Sequence, residues 1–192
     1  EAIGEFHIGY APDDYDALKN HLKAKSYTEQ QMLEAGILKK SERDGKTYSF
    51  FRGRVMIPVL DMRGRVVAFG GRILPEHMRP PERGDFKPPK YINSPETPIF
   101  NKSTVLYGGY QARMAAGQGK DVIVVEGYFD AIAAHRAGFT GAVAPMGTAL
   151  TEEQAVLLWK MIPAEQGLVK EPVLCFDGDN AGRRAAERAC AL

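Results

Sequence analysis

The apolar positions fall into two patterns, with the change near residue 118. In the first stretch, short apolar runs are cut by turn residues. Residues 1–10 read as the start of a strand that ends at Ala11-Pro12-Asp13-Asp14. Asp14 is placed to cap a helix to about Lys25, with Tyr15, Leu18 and Leu22 at helical spacing on one face. Thr28-Glu29-Gln30-Gln31 has the form of a capping box and opens a short helix that stops at Gly36. Arg43-Asp44-Gly45-Lys46 is a hairpin turn, followed by Tyr48–Phe51, Arg54–Leu60, a turn at 61–65, and Val66–Phe69. Together these predict a small antiparallel meander broken at Gly70-Gly71. Residues 74–90, rich in Pro, Gly and charge, predict an exposed, mobile loop. Residues 111–116 predict a helix and Gly117-Gln118-Gly119 a hinge between units.

In the second stretch the order becomes β-α-β-α-β-α. Val122–Val125 is an unbroken β-branched run, the habit of a strand buried on both faces of a parallel sheet. A helix from Tyr128 to Ala137 closes at Gly138. Gly141–Ala144 is a short strand, and Thr151-Glu152-Glu153-Gln154 is a second capping box, opening a helix to Ile162. Pro172–Phe176 is a third apolar run, and a helix from Asn180 follows and reaches Leu192 without a cap, as in a fragment. The fold expected is α/β: an α+β N-terminal subdomain with a small antiparallel sheet (1–118), then an α/β domain with a parallel sheet and right-handed crossovers (119–192).

Composition narrows the function classes. The chain has 192 residues, 44% hydrophobic and 26% charged, as in ordinary globular proteins. No apolar run reaches membrane-spanning length and the N-terminus has no signal-peptide pattern, so a protein working in the cytoplasm is expected. Two cysteines argue for a reducing compartment and against a disulfide framework or a zinc site. The net charge of +1 hides a division: residues 1–120 carry 19 Lys/Arg against 14 Asp/Glu, and residues 121–192 carry 6 against 10. A basic surface beside an acidic site suits phosphate chemistry on a polyanion, although two unrelated domains can show the same asymmetry.

The chemistry-bearing residues stand where strands end. Glu126 follows the Val122–Val125 strand, and Asp130 falls in the first turn of the next helix. Ligand sites in open α/β sheets lie outside the carboxyl ends of strands; the competing reading is a Glu that caps the next helix. The third strand ends in Asp177-Gly178-Asp179-Asn180-Ala181-Gly182, where an extended backbone puts Asp177 and Asp179 on one side. In isolation this is also an ordinary helix-opening turn. Neighbouring parallel strands lie about 4.8 Å apart, so the two segments converge, and carboxylates that close need a counter-charge. Mg²⁺ or Mn²⁺, content with a few carboxylates, water and phosphate, answers that need. In the basic half, Arg54, Arg72, Lys90 and Lys102, with Tyr91 and Asn93, suit a groove for a single strand or a triphosphate; solvated surface charge is the plainer reading.

Val125-Glu-Gly-Tyr-Phe-Asp130 and Phe176-Asp-Gly-Asp-Asn-Ala-Gly182 resemble the Toprim domain shared by bacterial primases, type IA and II topoisomerases and some nucleases. Residues 54–72, Lys90-Tyr-Ile-Asn-Ser-Pro-Glu-Thr-Pro-Ile-Phe-Asn-Lys102, Leu106-Tyr-Gly108 and Phe6-His-Ile-Gly-Tyr-Ala-Pro12 are similar to bacterial replicative primase of the DnaG type. The resemblance implies a DNA-dependent RNA polymerase that makes short primers by two-metal nucleotidyl transfer from ribonucleoside triphosphates on single-stranded DNA. It makes Glu126, Asp177 and Asp179 the metal ligands and Asp130 their support. Arg54, Arg72, Lys90 and Lys102 become the basic groove, with Tyr91 and Asn93 beside it. It also implies that a zinc ribbon, a later acidic motif and the regions meeting the replicative helicase and single-strand-binding protein lie outside this chain, leaving the fragment weak or inactive alone. The place of work would be the replication fork at the bacterial nucleoid. Two rivals stand beside it: another Toprim activity (topoisomerase or nuclease), and a binding module whose acidic cluster is only structural.

Overall fold

A computed structural model describes residues 2–79, 87–147, 149–163 and 171–192. They form two compact units, one of Glu1–Pro58 and Ala68–Phe100, the other of Val59–Val67 and Asn101–Leu192. Among the described residues no helix is long and apolar enough to cross a membrane.

The first unit opens with a helical turn, α1 (Ala2–Glu5), before strand β1 (Gly9–Ala11). The strand expected over residues 1–10 is thus only its last part. The Phe6 and Ile8 amides donate to Ala2 and Ile3 carbonyls, and Phe6 is buried, so the local turn takes up the first residues. Helix α2 (Ala17–Ala24) starts three residues after the expected cap, yet Asp14 Oδ1 still accepts from the Asp16 and Ala17 amides at 2.7 and 2.8 Å. The capping box forms at α3 (Glu29–Glu34), where the Thr28 and Gln31 side chains exchange bonds with each other's amides. Strands β2 (Leu38–Lys40) and β3 (Thr47–Ser49) make the antiparallel hairpin that Asp44-Gly45 predicts.

The main sheet has the order β1, β4 (Arg54–Leu60), β5 (Val66–Ile73) and β6 (Tyr91–Asn93). β5 runs through Gly70-Gly71, which pair with Asn93 and Ile92 of β6, so these glycines do not break the meander. A Cβ on Gly71 would stand 2.9 Å from Phe51 Cδ1 and 3.1 Å from Arg54 Cδ. The glycine is there because two side chains cross the strand's face, not to end it. Of the loop expected at 74–90, residues 80–86 lie outside the described residues; Glu76–Met78 is a 3-10 turn.

The second unit is built on a parallel sheet with β7 (Ile123–Val124) in the middle, flanked by β8 (Ala142–Val143) and β9 (Val173–Leu174). Bonds continue past the strand ends: Val125 N donates to Val143 O and Cys175 N to Val124 O, each at 2.8 Å. Helices α4 (Gly109–Ala116), α5 (Tyr128–Arg136), α6 (Glu152–Met161) and α7 (Asn180–Ala189) complete the unit. Its core joins Leu106, Ala112, Ala116, Val122, Val124, Val143, Leu158 and Met161. Full burial of a Val or Leu side chain is worth about 1.5–3 kcal/mol, so this cluster fixes where β7 ends. Since α4 shares that core, Gly117-Gln118-Gly119 is a turn inside the second unit. The turn of the β4–β5 hairpin belongs here too, with Met62 against the core and Gly64 beneath the Tyr110 ring.

Candidate functional site

β7 is the middle strand, with Val124 fully buried and Ile123 half-buried, and the chain changes character where it leaves the sheet. Glu126, two residues past its end, is exposed. It does not cap α5: Gly127 holds the N-cap position, with no side-chain cap bond. Instead Glu126 Oε1 accepts a hydrogen bond from the Asp177 amide at 2.8 Å. The ends of β7 and β9, paired in register Val124 to Leu174, are therefore tied through the acidic side chain itself. Gly182 leaves room for this tie. A Cβ there would run into Asp177 O and stand 2.8 Å from Glu126 Oε1, so a larger residue would push the two segments apart.

The remaining carboxylates gather round that tie. Asp130, in the first turn of α5, brings Oδ2 within 3.4 Å of where a Gly127 Cβ would lie. Asp179 Oδ1 accepts the Ala181 and Gly182 amides at 2.8 Å each and so is the N-cap of α7. The helix-opening reading of this turn is correct for Asp179, but a carboxylate has two oxygens, and its second one is left for other work. The Asp177 side chain is exposed. Among the described residues, none of Glu126, Asp130, Asp177 and Asp179 has a Lys or Arg within ion-pairing distance. Four exposed carboxylates without cations make a locally negative end of the sheet. As the side chains stand, no three His, Cys, Asp or Glu among the described residues are arranged to hold a metal ion. The donor set is all oxygen, which suits a hard dication, and Glu126 and Asp179 each keep one oxygen free of main-chain bonds.

The basic residues sit on the main sheet of the first unit, Lys102 excepted. Register pairs Arg72 of β5 with Tyr91 of β6. The Arg72 guanidinium carbon and Lys90 Nζ both lie 5.6 Å from the centre of the Tyr91 ring, which is 42% exposed. These three form an open cation–aromatic cluster at cation–π distance. Asn93 lies two residues along β6, half-buried. Arg54 is different. It is 5% exposed, and Nη1 donates to the Gly71 and Lys90 carbonyls at 3.3 and 3.4 Å. Burial, and then the charge of Arg79, lowers its guanidinium below the usual arginine value. Its first task is to clamp β5 and the approach to β6. Arg79, within the stretch expected to be a loop, has a side chain only 17% exposed and pairs with Glu76 at 3.7 Å. Nothing in its neighbourhood of charge and proline marks it in the sequence.

Lys102 belongs to the second unit, in a 3-10 turn at Lys102–Thr104. Its carbonyl, with that of Val105, accepts from Gln154 Nε2 at 2.9 Å. Gln154 is fully buried and also closes the capping box of α6. Its second role, positioning the Lys102 segment, leaves no mark in the motif Thr-Glu-Glu-Gln.

The family profile described as DNA primase catalytic core, N-terminal domain, matches residues 1–113, and the Toprim domain profile matches residues 120–192. The chain belongs to the DNA primase family. Its similarity to individual primases runs over nearly the whole chain. The DNA primase of Deinococcus radiodurans is 46% identical over 185 residues, covering 96% of this chain and 30% of that protein. The RNA polymerase domain of Mycobacterium tuberculosis primase superposes with a TM-score of 0.86 at 34% identity, covering 100% of this chain and 59% of the other. A DnaG primase catalytic domain solved bound to single-stranded DNA gives 0.77 at 38% identity, covering 98% and 53%. The chain spans about 30% of the length of the curated primases it matches. The Toprim match encloses Glu126, Asp130, Asp177 and Asp179, and the N-terminal match encloses Arg54, Arg72, Lys90, Tyr91, Asn93 and Lys102.

Proposed function

We propose that this chain is the part of a primase that carries out DNA-templated synthesis of short RNA primers. The observation carrying this reading is the Glu126 Oε1 to Asp177 amide bond at 2.8 Å, which joins two acidic strand ends that have no cationic partner among the described residues. Glu126, Asp177 and Asp179 would hold Mg²⁺ or Mn²⁺, with Asp130 beside them. A bound dication supplies charge neutralisation and polarises phosphoryl oxygens of a triphosphate. The reaction class is nucleotidyl transfer: a 3′-hydroxyl displaces pyrophosphate from the α-phosphorus of a ribonucleoside triphosphate. Within that reaction the chain's own residues position. The Glu126 tie fixes the spacing of the two acidic segments, and the N-cap bonds hold Asp179 in one rotamer.

Arg72, Lys90 and Tyr91 would take the single-stranded template, the cations on phosphate and the ring against a base. Asn93 extends that surface and Arg54 serves it from beneath, while Lys102 offers a further cation for phosphate on the second unit. Supporting this reading is a primase domain, similar over most of this chain, that was solved with single-stranded DNA. The division at 118/119 is retained as a boundary between sequence modules, since the two family matches end at 113 and begin at 120. Partnership with a replicative helicase and single-strand-binding protein, and work at the cytoplasmic replication fork, belong to the same proposal and to parts of the protein outside this chain.

The test is primer synthesis by the full-length protein carrying Asp177→Ala, read as RNA product on a single-stranded template with Mg²⁺. Loss of product with unchanged folding is expected. Undiminished synthesis would remove the metal assignment and the reading built on it.

A further inference from the structure

A cavity of about 1060 Å³ lies wholly in the first unit, among α2, the start of α3 and the β2–β3 hairpin. None of its lining residues belongs to the acidic end of the sheet or to the Arg72–Lys90–Tyr91 cluster. Two tyrosines form one wall: Tyr15, 58% exposed, and Tyr48 meet edge to face with ring centres 6.3 Å apart. The Arg52 guanidinium lies 3.5 Å from the centre of the Tyr15 ring. Stacking of this kind holds the planar fork in one orientation and leaves its N–H edge free for an oxyanion.

The charges of the cavity do not cancel locally. Its three carboxylates are engaged: Asp16 with Lys19, Glu29 with Lys23 and the Thr47 hydroxyl, and Asp44 with the Lys46 amide and the Ser41 side chain. Among the described residues, Arg43, Lys46 and Arg52 have no carboxylate within ion-pairing distance. Cations without a carboxylate partner beside the exposed Tyr15 ring match a planar base joined to a phosphate. A carboxylate-rich peptide would use the cations and leave the rings idle.

We propose that this cavity is a second anchoring point for single-stranded nucleic acid, with a phosphate between Arg43, Lys46 and Arg52 and the adjoining base against Tyr15. The proposal rests on the reading that this protein works on a single strand. It lies outside the residues assigned to template and metal.

The test is binding of a dye-labelled oligothymidylate to the 192-residue chain by fluorescence anisotropy across a salt series. Arg43→Ala/Lys46→Ala, both on an exposed turn, should flatten the salt slope by about 0.7 for each phosphate that is no longer neutralised. Tyr15→Ala should weaken binding by at least about fivefold, the low end of a base–aromatic stack. Thermal unfolding verifies that each variant is folded. An oligonucleotide carrying 5-iodouracil should cross-link to Tyr15 or Tyr48 under ultraviolet light, which a purely structural role for these rings would not produce. Unchanged affinity and slope, with cross-links only elsewhere, would overturn the proposal. If Lys90→Ala weakens binding while the cavity variants do not, this inference fails and the function stands. If the unaltered chain binds no oligonucleotide, this inference fails, and primer synthesis by the full-length protein decides the function separately. An acidic peptide that saturates the cavity where the oligonucleotide does not would replace nucleic acid as its occupant.

Discussion

Glu126 and Asp177 lie 51 residues apart in sequence, and a single hydrogen bond of 2.8 Å joins the carboxylate of one to the amide of the other. The bond requires an acceptor at Glu126 but not a charge, which separates its structural role from the metal role proposed for it. Glu126→Gln keeps a carbonyl oxygen for the Asp177 amide and should leave thermal stability almost unchanged. It removes one negative ligand, and affinity for Mn²⁺ should fall at least roughly tenfold. Titration of the melting temperature with Mn²⁺ checks both halves, since a ligand that binds only the folded state raises it. An unchanged Mn²⁺ response would exclude Glu126 as a ligand.

Asp179 caps α7 and is also a proposed metal ligand, and the variants that separate the two roles differ in whether an acceptor remains. Asp179→Ala removes the acceptor for the Ala181 and Gly182 amides and should cost about 1 kcal/mol in urea denaturation. Asp179→Asn caps nearly as well and should restore that stability. Primer synthesis by the full-length protein should be abolished in both. Activity that follows stability, returning with Asn, would reduce Asp179 to a helix cap.

What the sequence made legible was mostly local. Both capping boxes, at Thr28 and Thr151, are complete within four residues, and both form. Val122–Val125 announces a strand buried on both faces because β-branched residues with no polar partner have few other homes. Features that depend on residues far away in sequence have no local signature. Gly70-Gly71 has the look of a break, yet the reason for Gly71 is the crossing of Phe51 and Arg54. Arg54 reads as a cation for phosphate, and only the register of β5 with β6 places two carbonyls where its guanidinium must bury itself. The acidic residues at strand ends were visible; the main-chain bond that ties them was not, because it depends on which strands are neighbours.

The β4–β5 turn supplies a pH signature independent of the site. Asp61 is lowered from the usual carboxylate value to about 2, first by the Arg65 amide and then by the Arg65 side chain and the Arg63 amide. Its folded-state value lies below its unfolded one. Its contribution is therefore present above the unfolded value of 3.8 and disappears as pH falls toward 2. Asp61→Asn should flatten the fall in melting temperature across that window and leave the slope above it unchanged. A curve with the same slope would show that the turn does not contribute.

Arg54 and Lys90 carry the same charge on neighbouring segments and should respond in opposite ways. Arg54 is buried and donates to two carbonyls, one of them that of Lys90. Arg54→Ala leaves those carbonyls without their donor and opens a gap under β5, so a loss of about 1–3 kcal/mol is expected in denaturation. Any fall in single-strand affinity should track the loss of β5–β6 order. Lys90 is exposed, and its ammonium faces the Tyr91 ring at 5.6 Å. Lys90→Ala should change stability by no more than about 0.5 kcal/mol. It should weaken binding of an oligonucleotide uniformly across sequences and lower the salt slope by about 0.7, the mark of one phosphate left without its cation. Denaturation and anisotropy on the same two variants decide the matter. A destabilised Lys90→Ala with an unchanged salt slope would make Lys90 a structural residue and move the template surface elsewhere.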